Sequence, residues 1–332
     1  MTNTTAVTAP RKRSVKRSLP ALGLFFLSPL VAEFLLGNIP ISALFALVGL
    51  APLYGGGAVL IRELVRRRGW GYPSLVVLAL AYGVLEEGIT TQSLFNPNYA
   101  GQRLLDQGHI GFLGMGAPWT VLVLGLHTIW SITVPIVLVE SMSRRPREPW
   151  LGKVGLSVYG VLFVVGIIAT TAVQLGMDPF VASPAQFAGV VVAIAVLVFI
   201  AVRIGRRTPV RVTGAVPSPW IFAVAGLVVS SGWMLSGDLV KNGWLGAALM
   251  LAIGIVAAAI LVRVSRRTGW TRKHALAVAS GTLLTYAWHA FPEDPVFAAP
   301  HLVDLIGNAV FGLLAVVLLI SATIRCDKFG DS

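Results

Sequence analysis

Apolar runs of membrane-spanning length follow one another along almost the whole chain, and no other feature constrains the fold as strongly. A transmembrane helix needs about 20 consecutive, mostly apolar residues. Segments with turn-forming, helix-breaking or charged residues separate these runs. The sequence therefore predicts an all-α, polytopic membrane protein with about ten transmembrane helices. The predicted spans are 19–37, 41–64, 73–94, 117–140, 153–175, 186–204, 219–236, 244–264, 274–290 and 302–324.

The composition agrees with a membrane protein and argues against two other classes. Hydrophobic residues make up 56% of the chain and charged residues only 12%, whereas soluble domains carry about 25% charged residues. The formal net charge is +12, but the cations lie in short clusters between apolar runs, so we expect no nucleic-acid partner. Cys326 is the single cysteine, which excludes an internal disulfide framework and a cysteine-rich metal site.

The distribution of lysine and arginine predicts the orientation. With ten spans, both termini lie on the same side of the membrane. Of the 26 lysines and arginines, only Arg103 and Lys241 lie on the opposite side. Positively charged loops stay in the cytoplasm, so the termini are predicted to be cytoplasmic. The corresponding location is the cell membrane, meaning the inner or cytoplasmic membrane.

The predicted domain organisation is one membrane domain with two short tails. Residues 1–18 are polar and basic and are expected to form a disordered cytoplasmic tail. Residues 19–324 form a single transmembrane domain, and 325–332 form a short cytoplasmic tail. A basic cluster followed by Gly-Trp occurs at 67–70 and again at 266–270. This recurrence, six spans apart, suggests a parallel repeat of spans 1–4 and 7–10.

Two adjacent glutamates, Glu86 and Glu87, lie late in the third apolar run. A charge at bilayer depth costs at least about 2.5–3.5 kcal/mol on insertion scales, so such residues are rare and usually functional. Two neighbouring carboxylates also repel each other, which favours a proton held between them. The pair is therefore the first candidate for a functional site.

Other polar residues are predicted to share the depth of this pair. At a helical rise of 1.5 Å per residue, Glu33 and Glu86 lie about 21 Å from the inner ends of their spans. His127 and Asn308 lie at about 18 Å and His289 at about 24 Å on the same scale. We therefore expect one polar, water-accessible layer in the outer half of the membrane.

Two further residues are assigned a supporting role in this layer. Asp304 lies at the head of span 10, just above the layer. Arg103 lies in the outer segment 95–116, whose Asn-Pro pair and glycines indicate a folded loop. This loop is expected to cover the layer.

The glutamate pair and a histidine on the next span carry a resemblance to a known family. Glutamic intramembrane proteases of the CAAX-processing and bacteriocin-immunity family have a Glu-Glu pair with an arginine four residues on, then Phe-x-x-x-His on a later span. Glu86, Glu87 and His127 match this pattern, whereas Thr91 replaces the arginine and Val123 the phenylalanine. The resemblance implies that Glu86, Glu87 and His127 are catalytic, with Glu86 as the base that activates water.

The remaining family motif is a further histidine with an asparagine or aspartate four residues on. Here His301 is followed at that spacing by Leu305, while Asp304 and Asn308 lie out of register. Arg103 could replace the family's arginine only if the outer loop folds back toward the pair. The resemblance covers at most spans 3 and 4.

Several functions remain open at the level of sequence. An intramembrane hydrolase or protease-like enzyme would use the carboxylates as general bases. A proton- or cation-coupled transporter would use the same residue types, and a non-catalytic membrane protein would use neither. A zinc site from His127, His289 and a glutamate is a further alternative, although no cofactor or resident metal is expected. The expected partners are membrane lipid and an unidentified small-molecule, lipid or peptide substrate.

Overall fold

The computed structural model describes residues 17–208 and 210–329, and ten helices account for most of them. Each helix begins or ends close to a proline, a glycine or a charged residue, as expected where an apolar run stops. The helices are α1 Leu19–Phe34, α2 Ala46–Arg67, α3 Tyr72–Thr90, α4 Ala117–Met142, α5 Lys153–Met177, α6 Pro184–Gly205, α7 Pro219–Leu239, α8 Gly243–Ser265, α9 Arg272–His289 and α10 His301–Phe329.

The ten predicted spans correspond one to one with these helices, so the predicted all-α membrane fold is confirmed. Eight of the ten helices are long and apolar enough to cross a membrane. The other two are α1, which is shorter, and α9, which begins with the charged pair Arg272–Lys273. Most of the predicted basic tail, residues 1–16, lies outside the described part of the chain. Arg17 is described, and its guanidinium donates a 2.9 Å hydrogen bond to Glu148.

Helix ends differ from the predicted ones where the backbone turns sharply. Span 1 was predicted to reach residue 37, but α1 ends at Phe34 and Gly37 has a φ of +92°. A Cβ at Gly37 would lie 2.9 Å from the carbonyl oxygen of Ala290, so this turn requires glycine. Span 3 was predicted to reach residue 94, but α3 ends at Thr90. The last span was predicted to end at residue 324, but α10 continues to Phe329.

The helices approach one another closely at small residues. A Cβ at Gly166 of α5 would lie 2.4 Å from the backbone nitrogen of Leu53 in α2. A Cβ at Gly281 of α9 would lie 1.9 Å from the carbonyl oxygen of Ala223 in α7. Without a hydrophobic driving force between helices in lipid, such contacts supply the packing that holds a bundle together.

The outward faces of the bundle are apolar. Large hydrophobic side chains are exposed along α5, α6, α7, α8 and α10. Contiguous exposed apolar surface of this kind is unfavourable in water and marks a surface that contacts lipid or another protein. The buried residues instead lie mainly on α1 to α4 and on α9.

An ionic network joins α2 to the end of α4 on the predicted cytoplasmic side. Arg62 is fully buried and donates to Glu63 at 2.9 Å and to Glu140 at 3.0 Å. Its guanidinium also lies 3.4 Å from the centre of the Trp150 ring. Arg66 makes two hydrogen bonds of 2.7 Å to the carboxylate of Glu140. These arginines therefore satisfy buried carboxylates and fix the α4–α5 connection.

The outer segment between α3 and α4 is folded, as its turn residues indicated. It contains a two-stranded antiparallel hairpin of β1, His109–Ile110, and β2, Met115–Gly116. Gly108 and Gly114 have positive φ angles on either side of β1. The glycines that indicated a loop therefore allow the chain to reverse here.

Replacing Glu140 with glutamine tests the buried network. The substitution keeps the size of the side chain but removes the charge facing Arg62 and Arg66. Loss of one partner from a buried ion pair costs about 3–5 kcal/mol, and we expect the free energy of unfolding in detergent to fall by about that amount.

Glu148→Gln is the matched control for this test. Glu148 pairs with Arg17 and Arg145, and its side chain is 48% exposed. Exposed pairs contribute at most about 1 kcal/mol, so this variant should unfold almost like the wild type. An equal fall in the free energy of unfolding in the two variants would contradict the proposed contribution of the buried network to stability.

Candidate functional site

Glu86, Glu87 and His127 converge in the interior of the bundle. The Nε2 atom of His127 lies 2.6 Å from Oε1 of Glu87, and Nδ1 lies 3.2 Å from Oε2 of Glu86. All three side chains are buried. The imidazole therefore lies between two carboxylates, and the hydroxyl of Ser131 lies 3.2 Å from Nδ1, within hydrogen-bond distance.

The two glutamates have different surroundings. One carboxylate oxygen of Glu87 contacts His127, and the other accepts hydrogen bonds from Thr91 at 2.9 Å and from the hydroxyl of Ser93. The indole nitrogen of Trp119 donates to the same serine hydroxyl at 3.2 Å. Glu87 is thus held on both oxygens, which fixes its position against the imidazole.

Glu86 is much less constrained. Its Oε2 atom is buried and makes no hydrogen bond within residues 17–208 and 210–329. The hydroxyl of Thr90, four residues after it, is also buried without a partner there, and that of Tyr82, four residues before it, makes no well-directed hydrogen bond although it interacts with the Glu86 carboxylate. Buried polar groups nearly always have partners. Three groups on one helix without a well-directed hydrogen bond therefore mark a place that can accept a water molecule or a substrate atom.

Glu33 joins this site through a tyrosine that the sequence analysis missed. The hydroxyl of Tyr54 donates to Oε1 of Glu33, and Asn38 donates to Oε2 at 3.1 Å. The ring centre of His127 lies 5.8 Å from that of Tyr54 and 6.1 Å from that of Tyr82. The four-residue spacing of Tyr82 from Glu86 was a usable signal, whereas Tyr54 had none.

Glu33, Glu86, Glu87 and His127 each lie in a π-helical turn. The π segments are Leu30–Phe34 in α1, Glu86–Thr90 in α3 and His127–Thr133 in α4. Single π turns within α-helices are rare and occur frequently at functional sites. A π turn widens the backbone locally and redirects the side chains that follow. Three π turns next to one polar cluster therefore support its assignment as a candidate functional site.

The segment after α3 closes the outer end of the site. Leu94, Phe95 and Asn96 are buried, and the amide of Asn96 donates to Asp178 at 2.5 Å. Gln92 has a φ of +57° and accepts a 2.7 Å hydrogen bond from the backbone nitrogen of residue 182. The predicted cover was the segment 95–116, and the structure brings the start of that segment, together with Ser93, over the site.

The remaining predicted residues do not join this cluster. His289 contacts Asp238 at 2.8 Å and Glu293 at 3.1 Å. Asn308 donates to Asp304 at 3.2 Å and to the carbonyl oxygen of the residue after His289 at 2.9 Å. The single polar layer expected from helix depth is therefore two groups. We call the first the inner cluster (Glu33, Glu86, Glu87 and His127) and the second the outer cluster (Asp238, His289, Glu293, Asp304 and Asn308).

Helix depth failed to separate the two clusters because it contains no information about direction. Residues at the same depth can face different neighbours: α3 packs against α4 and α6, whereas α9 packs against α7, α10 and the last part of α4. Asp238, at the end of α7, was missed because it lies beside an outer loop and looked like a solvated residue.

Burial raises the pKa of Glu293 above its usual value, and Asp238 and Asp294 raise it further.

Arg103 does not support the inner cluster. Its side chain is 75% exposed and pairs with Asp106 at 2.5 Å. The loop therefore does not bring Arg103 back to Glu86 and Glu87. Arg103 does not take the place of the arginine in the family's motif.

The inner cluster has the composition of a metal-binding group as well as that of an acid–base site. Donor atoms of Glu86, Glu87 and His127 all lie within 4.8 Å of one another. The zinc alternative with His127 and His289 together is wrong, because these histidines belong to different clusters. A carboxylate with an unsatisfied oxygen beside an imidazole can accept a proton, bind water or hold a cation.

Substituting two neighbouring threonines tests how Glu87 is held. Thr91→Val removes a donor to Glu87, and hydrogen bonds to charged groups contribute about 1.5–3 kcal/mol. We expect the free energy of unfolding in detergent to fall by that amount. Thr90→Val removes a buried hydroxyl that has no partner, so this control should be nearly neutral. Equal losses would contradict the assigned roles.

The comparison with known proteins gives a family but no activity. No curated protein and no solved structure matches the chain. The match found is not to the CAAX-processing and bacteriocin-immunity family, so the resemblance carried by Glu86, Glu87 and His127 is unconfirmed. A family model described as an uncharacterized membrane protein family matches residues 22–327. The chain thus belongs to this uncharacterized family of multi-pass membrane proteins.

Proposed function

We propose that the inner cluster is the active site of an intramembrane hydrolase, with Glu86 as the general base. The observation that carries this proposal is the contrast between the paired glutamates. Both oxygens of Glu87 are engaged, whereas Oε2 of Glu86 is buried, unpartnered and 3.2 Å from Nδ1 of His127. A base needs a free oxygen near the proton that it takes.

Charge balance supports an acid–base role. Glu86 and Glu87 flank the imidazole of His127, Glu33 is linked to them through Tyr54, and no lysine or arginine pairs with the three glutamates in the described part of the chain. Full ionisation would leave excess negative charge in a low-dielectric interior, which is strongly unfavourable. We infer that the cluster holds protons, which can be passed to and from a reacting molecule.

Each residue has a separate role in the proposed reaction. Glu86 takes a proton from water, and the water oxygen attacks the carbonyl carbon of an ester or amide. The hydroxyl of Tyr82 donates to the oxygen on which negative charge develops. The bond to the leaving oxygen or nitrogen then breaks, and that atom takes the proton from Glu86. His127 shares this proton through Nδ1, while Glu87 positions the imidazole through Nε2.

The burial of the site limits the class of substrate. Glu86, Glu87 and His127 are reached neither from bulk water nor from the lipid-facing surface without movement of the surrounding chain. A substrate that enters from the membrane carries an apolar portion, so we propose a lipid or a membrane-embedded peptide. The segment 92–96 is the part of the chain that would move to admit it.

The test compares membranes that contain the wild type with membranes that contain Glu86→Gln, His127→Ala or Glu148→Gln. Lipids and peptides are profiled by mass spectrometry, and any species that changes with the wild type is then followed with purified protein in liposomes. Loss of a general base lowers the rate by about 10²–10⁴-fold, so Glu86→Gln and His127→Ala should abolish the change. Glu148→Gln, whose side chain is outside the cluster, should leave it intact.

The proposal fails if Glu86→Gln and His127→Ala convert the same species at the wild-type rate while inserting normally. A second candidate is a proton-coupled carrier, favoured by Glu33, which hydrolysis does not require. For a carrier, the same two variants would lose proton movement in liposomes loaded with a pH-sensitive dye, and no lipid or peptide would be cleaved. The two readouts therefore separate the candidates.

The proposed location is the cell membrane, with both termini in the cytosol. In a Cys326→Ser background, a cysteine at Arg103 should react with a membrane-impermeant maleimide in intact cells. A cysteine at Arg145, whose side chain is 62% exposed, should react only after the membrane is opened. The opposite pattern would reverse the orientation.

A further inference from the structure

The outer cluster brings three titratable side chains from separate segments to one place. Asp238 ends α7, His289 ends α9, and Glu293 lies in the connection from α9 to α10. His289 is buried, whereas the side chains of Asp238 and Glu293 are 35% and 37% exposed. A small solute can therefore reach the carboxylates from outside, while the imidazole is fixed beneath them.

The two contacts of His289 are of different kinds. Its Nε2 atom makes a 2.8 Å hydrogen bond to Asp238. Its Nδ1 atom is buried and makes no hydrogen bond within the described segments, although Oε1 of Glu293 lies 3.1 Å away. The second contact therefore has a short separation without the direction that a hydrogen bond requires.

A shared metal ion accounts for this second contact. Zinc binds imidazole nitrogen and carboxylate oxygen at about 2.0–2.2 Å in tetrahedral geometry. Two such ligands lie roughly 3.3 Å apart, close to the separation between Nδ1 of His289 and Glu293. Histidines that bind metals also commonly donate their other ring nitrogen to a carboxylate, which orients the ring. Asp238 occupies that position.

The surroundings favour a cation. Asp294 follows Glu293 directly, and Asp304 is buried on the adjacent helix α10. Oδ1 of Asp304 has no hydrogen-bond partner among the residues that the structure describes, and its other oxygen accepts from Asn308 at 3.2 Å. The carboxylates of Asp238, Glu293, Asp294 and Asp304 thus outnumber the His289 imidazole that they surround, and a divalent cation would offset their charge.

We propose that the outer cluster binds a divalent transition-metal ion of the zinc type. Nδ1 of His289 and the carboxylate of Glu293 are the ligands, water completes the coordination, and Asp238 positions the imidazole. This site is separate from the inner cluster and does not depend on the proposed hydrolase activity.

Zinc binding to the purified full-length protein, freed of any affinity tag, tests the proposal. Titration calorimetry with Zn²⁺ in detergent should detect an equivalent, separate from any bound by the inner cluster, that is lost in His289→Gln and weakened at least about tenfold in Glu293→Gln. Asp238→Asn should keep the stoichiometry but lower the affinity by about 10–100-fold, the usual effect of removing a carboxylate that orients a ligating histidine. Glu293 is partly exposed, so Glu293→Gln is expected to fold. This variant therefore still tests the site if His289→Gln does not fold.

His301→Gln and His127→Gln are the matched controls. His301 is exposed at the head of α10, at the same end of the bundle, and His127 belongs to the inner cluster. Both variants should retain the zinc equivalent. Absence of zinc binding, unchanged binding in His289→Gln and Glu293→Gln, or loss of the equivalent in His127→Gln instead would overturn the proposal.

Discussion

The cost of an uncompensated charge inside an apolar medium governs the organisation of this protein. Carboxylates buried in the bundle meet a cation, a histidine or a hydrogen-bond donor. Glu140 is held by two arginines, Glu87 by His127 and two hydroxyls, and His289 by Asp238. The pairs of Glu140 join α2 to α4, and the contact of Asp238 with His289 joins α7 to α9, whereas Glu87 pairs with the next helix and with its own segment. The requirement to satisfy these charges therefore helps to determine which helices pack together.

Against this background, the unsatisfied atoms are informative. Glu86, Tyr82 and Thr90 each carry a buried polar atom without a well-directed hydrogen bond, and they lie on the same helix at four-residue intervals. In the outer cluster, Nδ1 of His289 and Oδ1 of Asp304 are likewise buried without a hydrogen-bond partner in the described residues, so the unpaired atoms lie mainly at the two polar clusters. Oε2 of Glu86 lies 3.2 Å from Nδ1 of His127, which is why the proposed reaction is assigned to the inner cluster.

The inner and outer clusters share one arrangement, an imidazole with a carboxylate near each ring nitrogen. In both, Nε2 makes a hydrogen bond to one carboxylate and Nδ1 lies near a second, but Nδ1 of His127 also has the hydroxyl of Ser131 as a hydrogen-bond partner, whereas Nδ1 of His289 has no partner in the described residues. Their environments differ. His127 is enclosed by helices, whereas His289 lies below two partly exposed carboxylates. Similar chemical groups can therefore serve proton transfer in one place and cation binding in the other.

The sequence by itself determined the number, order and approximate limits of the helices, because a spanning helix is a local pattern of about 20 apolar residues. It also made Glu86, Glu87 and His127 candidate site residues, since charged residues are rare at that depth. Only the tertiary structure decided which polar residues meet. Depth along a helix says nothing about the direction of a side chain, so His289 and Asn308 were grouped with the wrong partners and Tyr54 was missed. The π turns at Glu33, Glu86 and His127 change that direction further, and the apolar pattern from which the helices were predicted does not reveal them.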